Sequence, residues 1–171
     1  MFVKFLRENK YACYALTLLR LYLGYDWMTH GWAKITGGSF NAAGFLNGAV
    51  AKAAGENPTV QAWWGSFLEH FALPNATLFT YMVMWGEFLV GLGLILGCFT
   101  TFAALMGMVM NFAFLFSGTV STNAQLVALT IFIVVAGANA GKIGADRWVL
   151  PYLKGLFNKT AKKEAGAKAT A

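Results

Sequence analysis

Charge is what this chain has least of. Only 12% of its 171 residues are Asp, Glu, Lys or Arg, where a soluble globular domain usually carries about 25%. Hydrophobic residues make up 58%, which excludes an ordinary water-soluble domain, and the length suits a single domain. Histidine is also scarce, at two (His30 and His70), and so is cysteine, at Cys13 and Cys98. With no CxxC and no metal-ligand spacing, a bis-histidine haem, an iron–sulfur centre or a protein-bound metal is not expected. No glycine-rich phosphate loop or Walker-like motif is present. Any electron transfer would have to pass directly between bound substrates, through protein sulfur, or through a partner subunit.

In place of charge there are long apolar runs. A helix rises 1.5 Å per residue and needs about 20 apolar residues to cross the hydrocarbon. Four stretches qualify: residues 11–33, 78–98, 101–118 and 124–141. The expected fold is an all-α, polytopic membrane four-helix bundle over residues 1–150, followed by a basic tail at 151–171. The first run is too long and too polar for a signal-peptide core, and no small-residue cleavage site follows it, so it is expected to be retained. Lys4, Arg7 and Lys10 precede it. Lys142, Arg147, Lys154, Lys159, Lys162, Lys163 and Lys168 follow the last run. The positive-inside rule then places both termini in the cytoplasm. Beside a bilayer the basic tail reads as a topology signal and an attraction to anionic lipid, not as a nucleic-acid site. Cys13 and Cys98 fall near the same face and read as small buried apolar residues, with a redox pair as the second reading.

Residues 35–77 form the one long connection, expected on the outer side. Gly37-Gly38, Asn57-Pro58 and Leu73-Pro74 divide it. Between the last two, Thr59 can cap a helix on which Trp63, Trp64, Phe67, Leu68 and Phe71 recur with helical spacing. That pattern suits an interfacial helix with aromatic anchors. Asn41 to Ala54 reads as a second short helix or a re-entrant turn, and a lid over the outer mouth of the bundle is the functional alternative.

The first run, Tyr11 to Lys34, carries Arg20, Asp26, His30 and Lys34. Ionisable groups at such depth cost about 2.5–3.5 kcal/mol each even on lenient scales, and they tend to face a partner or a wet cavity. With Arg20 at 0°, Asp26, His30 and Lys34 lie at about 240°, 280° and 320° in i, i+4 register. Gly24, Trp27 and Gly31 fall beside them, while Tyr14, Leu18, Leu21, Tyr22, Tyr25 and Met28 form a lipid-like arc. Arg20 is placed near mid-membrane, with His30 and Lys34 climbing to the outer surface. The second run holds a single charge, Glu87, and depth matching predicts an Arg20–Glu87 pair. Gly86, Gly93 and Gly97 suit close helix packing, and the Gly93-to-Gly97 spacing leaves a homo-oligomer open. Asn111 in the third run reads as interhelical glue. His30, between Asp26 and Lys34 on one stripe, reads as a proton carrier.

Three segments together, LRLYLGYDWMTHGWAKI, WGEFLVGLGLILGCFT and GADRW, resemble the DoxX/DoxD family of small four-helix bacterial and archaeal membrane proteins, over roughly residues 11–150. The sharpest elements are the first-run arginine followed by His30, Gly31 and Lys34, and the Gly86-Glu87 pair ahead of a glycine-rich run. The long Ala- and Trp-containing outer loop and GANAGKIGADRW depart from the more compact pattern of many relatives. The resemblance implies a multi-pass protein of the bacterial or archaeal plasma membrane. It also implies a quinone-linked oxidoreductase of the thiosulfate:quinone type, with quinone as diffusible co-substrate, a small anionic sulfur donor, and room for a second redox subunit. On that reading His30, Glu87 and Asp26 are catalytic and move protons, while Arg20, Lys34, Trp27 and Asn111 bind substrate. A non-catalytic scaffold for a redox complex and a small anion transporter are the rival classes.

Overall fold

The computed structural model describes residues 1–119 and 121–155, and all regular structure among them is helical. The lysines of the expected basic tail from residue 156 onward lie outside the described residues. Asn9 divides the charged start of the chain from the first long helix. Its backbone is extended, and its Oδ1 accepts from Tyr11 N at 2.8 Å and Ala12 N at 3.4 Å, the usual way an asparagine satisfies free N–H groups at a helix start. Before it lies α1 (Phe2–Glu8) and after it α2 (Lys10–Gly37), which ends on Gly38 in the left-handed conformation at φ 64°. At 28 residues α2 is about 42 Å long, and it runs four residues past the end that hydropathy assigns it.

The connection folds into α3 (Ala42–Ala54) and α4 (Ala62–Phe67), the latter continuing through a π turn, Leu68–Ala72. Asn41 caps α3 by accepting from Ala43 N, so Asn41 to Ala54 is a helix and not a re-entrant turn. Thr59 does not cap α4: the helix begins at Ala62 after Gln61, which makes no side-chain cap bond. Then come α5 (Ala76–Leu96), α6 (Thr100–Phe116), α7 (Asn123–Ala136) and the single turn α8 (Ala138–Gly141). Residues 146–155 are helical again.

The long helices pack in a closed order, α2 on α5, α5 on α6, α6 on α7, and α7 back on α2. The α2/α5 pair is the most intimate. A Cβ on Gly31 would run into the backbone of Phe88, and one on Gly91 into the backbone of Met28, so the two helices touch backbone to backbone, as small residues permit. That contact turns Met28 towards α5, against its assignment to the lipid-like arc. Tyr14, Leu18, Leu21, Tyr22 and Tyr25 are exposed as that arc requires. Leu16, Leu23, Trp27, Leu94, Ala104 and Ile133 fill the interior, while the outer faces carry exposed Leu89, Phe102, Val109 and Ile131.

Among the described helices α5 alone is long and apolar enough, by length and composition, to cross a membrane. The run 124–141 is not one helix. It breaks at Gly137, whose φ of 57° and ψ of −126° only glycine adopts readily. The break is stitched by α1: Arg7 Nε donates to the carbonyl of Val135 at 2.9 Å, and Asn139 Nδ2 donates to the carbonyls of Leu6 and Asn9.

Candidate functional site

The backbone contact between α2 and α5 fixes which polar groups meet. It offsets the helices so that Lys34, not Arg20, arrives opposite Glu87, and Lys34 Nζ lies 2.5 Å from Glu87 Oε2. The glutamate side chain is 4% exposed and the lysine 24%, so the pair is partly withdrawn from solvent. One turn back along α2, His30 Nδ1 donates to the carbonyl of Asp26 at 2.7 Å and lies 3.7 Å from its Oδ2. A carbonyl can only accept, so the hydrogen sits on Nδ1, and Nε2 of the neutral ring is left as an acceptor.

The expected Arg20–Glu87 pair is therefore not formed. Arg20 sits at the other end of the bundle, 2% exposed, where its Nη2 donates to the carbonyl of Ile143 at 2.7 Å and Asp146 is its neighbouring carboxylate. Asp146 also accepts from Phe99 N at 2.7 Å and Thr100 N at 2.9 Å, capping α6 from 46 residues away. The guanidinium packs against Gly97 and Gly144, and a Cβ at either would collide with Nη1. Depth matching failed because it aligned the ends of two hydropathy windows. The real alignment is set by Gly31 and Gly91, and by an α2 that extends to Gly37.

Asp26, Trp27, His30, Lys34, Glu87 and Asn111 all line one cavity of about 370 Å³. Of the seven residues picked out by the sequence, Arg20 alone is elsewhere. Asn111 is fully buried, and among the described residues neither its Oδ1 nor its Nδ2 has a hydrogen-bond partner. It glues no helices. A buried polar group left unsatisfied costs about 1–3 kcal/mol, so this amide is a local cost to the fold that a bound acceptor or donor would relieve. Trp27 is buried against α6, its indole beside Gly107, one turn from Asn111.

Away from this polar end the cavity is aromatic, with Phe45, Trp64, Phe67, Phe79 and Phe114 in its walls. Sequence reasoning assigned Trp64 and Phe67 to an anchoring helix and passed over Phe45, Phe79 and Phe114. Phe79 precedes Glu87 by two i, i+4 steps through Val83, a spacing that points to the same face, but Phe45 carries no such signal. The connection closes over the mouth as a lid would. Its own small core joins Leu46, Ala49, Leu68 and Ala72. It is pinned by Trp64 Nε1 to Ser117 Oγ at 3.0 Å, by Lys52 Nζ to the carbonyl of Gly118 at 2.9 Å, and by Ala42 N to Thr80 Oγ1 at 2.9 Å. Beside it a shallower depression lined by Thr29, His30, Lys34 and Phe40 opens to the surface and shares the last three with the cavity. Cys13 and Cys98 are free thiols outside the cavity, the first buried and the second half-buried.

The model of the DoxX family matches residues 15–119. The chain belongs to the DoxX family. The match takes in α2 through α6, and with them all six cavity residues picked out by the sequence. Searches of curated proteins and of solved structures give no match. DoxX proteins are membrane proteins, often tied to quinone-linked oxidoreductases. In this DoxX chain α7 and the Asp146 cap lie beyond the matched segment.

Proposed function

We propose that this DoxX protein is the membrane subunit of a quinone-linked oxidoreductase, a four-helix transmembrane bundle with both termini in the cytoplasm and the cavity near the outer face. The observation that carries the reading is the fully buried, unpartnered Asn111 amide at the polar end of an aromatic cavity. A planar ring bearing carbonyl oxygens suits such a slot, because aromatic walls hold its faces and an amide N–H can donate to a carbonyl. Two electrons from a small sulfur oxyanion such as thiosulfate, two of which couple through an S–S bond, and two protons convert a quinone to its quinol.

The residues supply what that chemistry requires. Glu87 holds a proton-exchanging carboxylate inside the cavity, and Lys34 balances its charge at 2.5 Å. His30 stands at the open depression with Nε2 free, so it can exchange protons with water, and Asp26 orients it through Nδ1. Lys34 Nζ keeps N–H donors beyond the one it gives Glu87, and these can meet a small oxyanion at the aqueous opening. Arg20 lies at the far end and has no part in that approach; it serves the fold. A through-path for transported anions is disfavoured, since α2 and α5 meet at the backbone at Gly91 and Met28 and Arg20 fills the end beyond.

The test is thiosulfate-driven quinone reduction in membranes that contain folded, inserted Glu87→Gln protein. Loss of a positioned proton donor is expected to lower the rate about 100-fold. A parental rate overturns the assignment, and activity that returns only with a second subunit favours the scaffold reading.

A further inference from the structure

A second concavity, about 700 Å³, runs along the outer side of α5 and α6, and among the described residues no charged one lines it. Gly86 and Gly93 keep its α5 side low, beneath Met110 and Ala103 respectively. Exposed Met82, Leu89 and Leu96 form one rim, and exposed Phe102, Met106 and Val109 the other. Along α5 it extends from Phe79 to Leu96, about 26 Å at 1.5 Å per residue, close to the ~30 Å thickness of a hydrocarbon core. Its upper end is continuous with the polar cavity: Trp64, Phe67, Phe79, Val83, Ala113 and Phe114 line both.

We propose that this groove holds the polyprenyl tail of the quinone whose head occupies the cavity, and that the substrate enters sideways from the bilayer between α5 and α6. This rests on the quinone reading above and adds a tail site and an entry route to it. The continuity selects the occupant. A groove that opens into a cavity bearing a neutral amide takes an amphiphile with a small uncharged polar head and a long uncharged chain. A phospholipid would bring a charged phosphate, and the nearest cation, Lys34, is already neutralised by Glu87. The rims also suit a flexible chain with methyl branches, because Met82, Met106 and Met110 are unbranched, polarisable side chains that adapt their shape. The polar and apolar ends of the site thus have separate doors. The aqueous one lies at His30 and Lys34, and the lipid one lies between the rims.

The experiment uses the full chain in lipid nanodiscs with two ligands sharing one head group, a long-tailed quinone and its tail-less counterpart. A third probe carries a photoreactive diazirine on the tail. The tail probe should label peptides from 82–109, competed by the long-tailed quinone and not by acyl-labelled phospholipid. Leu89→Trp and Val109→Trp fill the groove from exposed positions that leave the core untouched. Each should weaken the long-tailed ligand tenfold or more and leave the tail-less one within twofold. Equal affinity of the parent for both ligands, labelling confined to segments away from α5 and α6, or equal competition by phospholipid overturns the tail site while the quinone reading stands. Failure of both ligands to bind the parent overturns the quinone reading itself.

Discussion

The two ends of the α2/α5 pair handle buried charge in opposite ways. At one end Arg20 is packed into glycines: its Nη2 bonds Ile143, Asp146 stands by, and a single added methyl group at Gly97 would collide with it. At the other end Lys34 and Glu87 make a direct ion pair, and a 370 Å³ cavity adjoins them. Both ends also have unpartnered polar atoms, Nε and Nη1 of Arg20 and the whole amide of Asn111. The difference is room. Arg20 is packed against glycine backbone and lines none of the three concavities described, whereas Asn111 lines the aromatic cavity. Burial and charge are alike at the two ends; the volume beside them is not.

Three substitutions sharpen that contrast. The largest effect is expected from Asp146→Ala. It removes both side-chain hydrogen bonds at the start of α6 and takes a neighbouring carboxylate away from buried Arg20, so about 3 kcal/mol of stability should be lost. Thermal or denaturant unfolding of the inserted protein measures it, and an unchanged midpoint would remove the case for an Arg20–Asp146 clasp. Asn111→Leu should do the reverse. Replacing an unsatisfied amide by an apolar group should leave stability level or raise it by about 1–3 kcal/mol, while affinity for a quinone head falls about tenfold. Unfolding and equilibrium binding run on the same preparation decide it, and a loss of stability with binding intact would make Asn111 structural after all. The smallest effect belongs to His30→Gln. The side chain is 62% exposed, so stability should shift by no more than about 0.5 kcal/mol, and turnover should slow while quinone affinity holds.

The stripe Asp26, His30 and Lys34 was legible because helical periodicity is a property of one segment. So was the membership of Glu87 and Asn111, since a lone charge or amide in an apolar run must face inward. The partner of Glu87 was not legible. It depends on how far α2 slides along α5, and hydropathy is blind to the glycine contacts that set this. The fourth run shows the same blindness. Gly137 is as apolar as its neighbours, so the break is visible only in its φ angle. Asp146 stands in the segment GADRW, but the helix it caps starts at Thr100, far along the chain.

The stitch at Gly137 also orders how the protein can be made. Asn139 supplies the hydrogens that the Leu6 and Asn9 carbonyls accept, and Arg7 reaches Val135. The opening helix therefore has no final seat until the chain has been made as far as Asn139, some 130 residues later. Its docking there is the clasp that closes the ring.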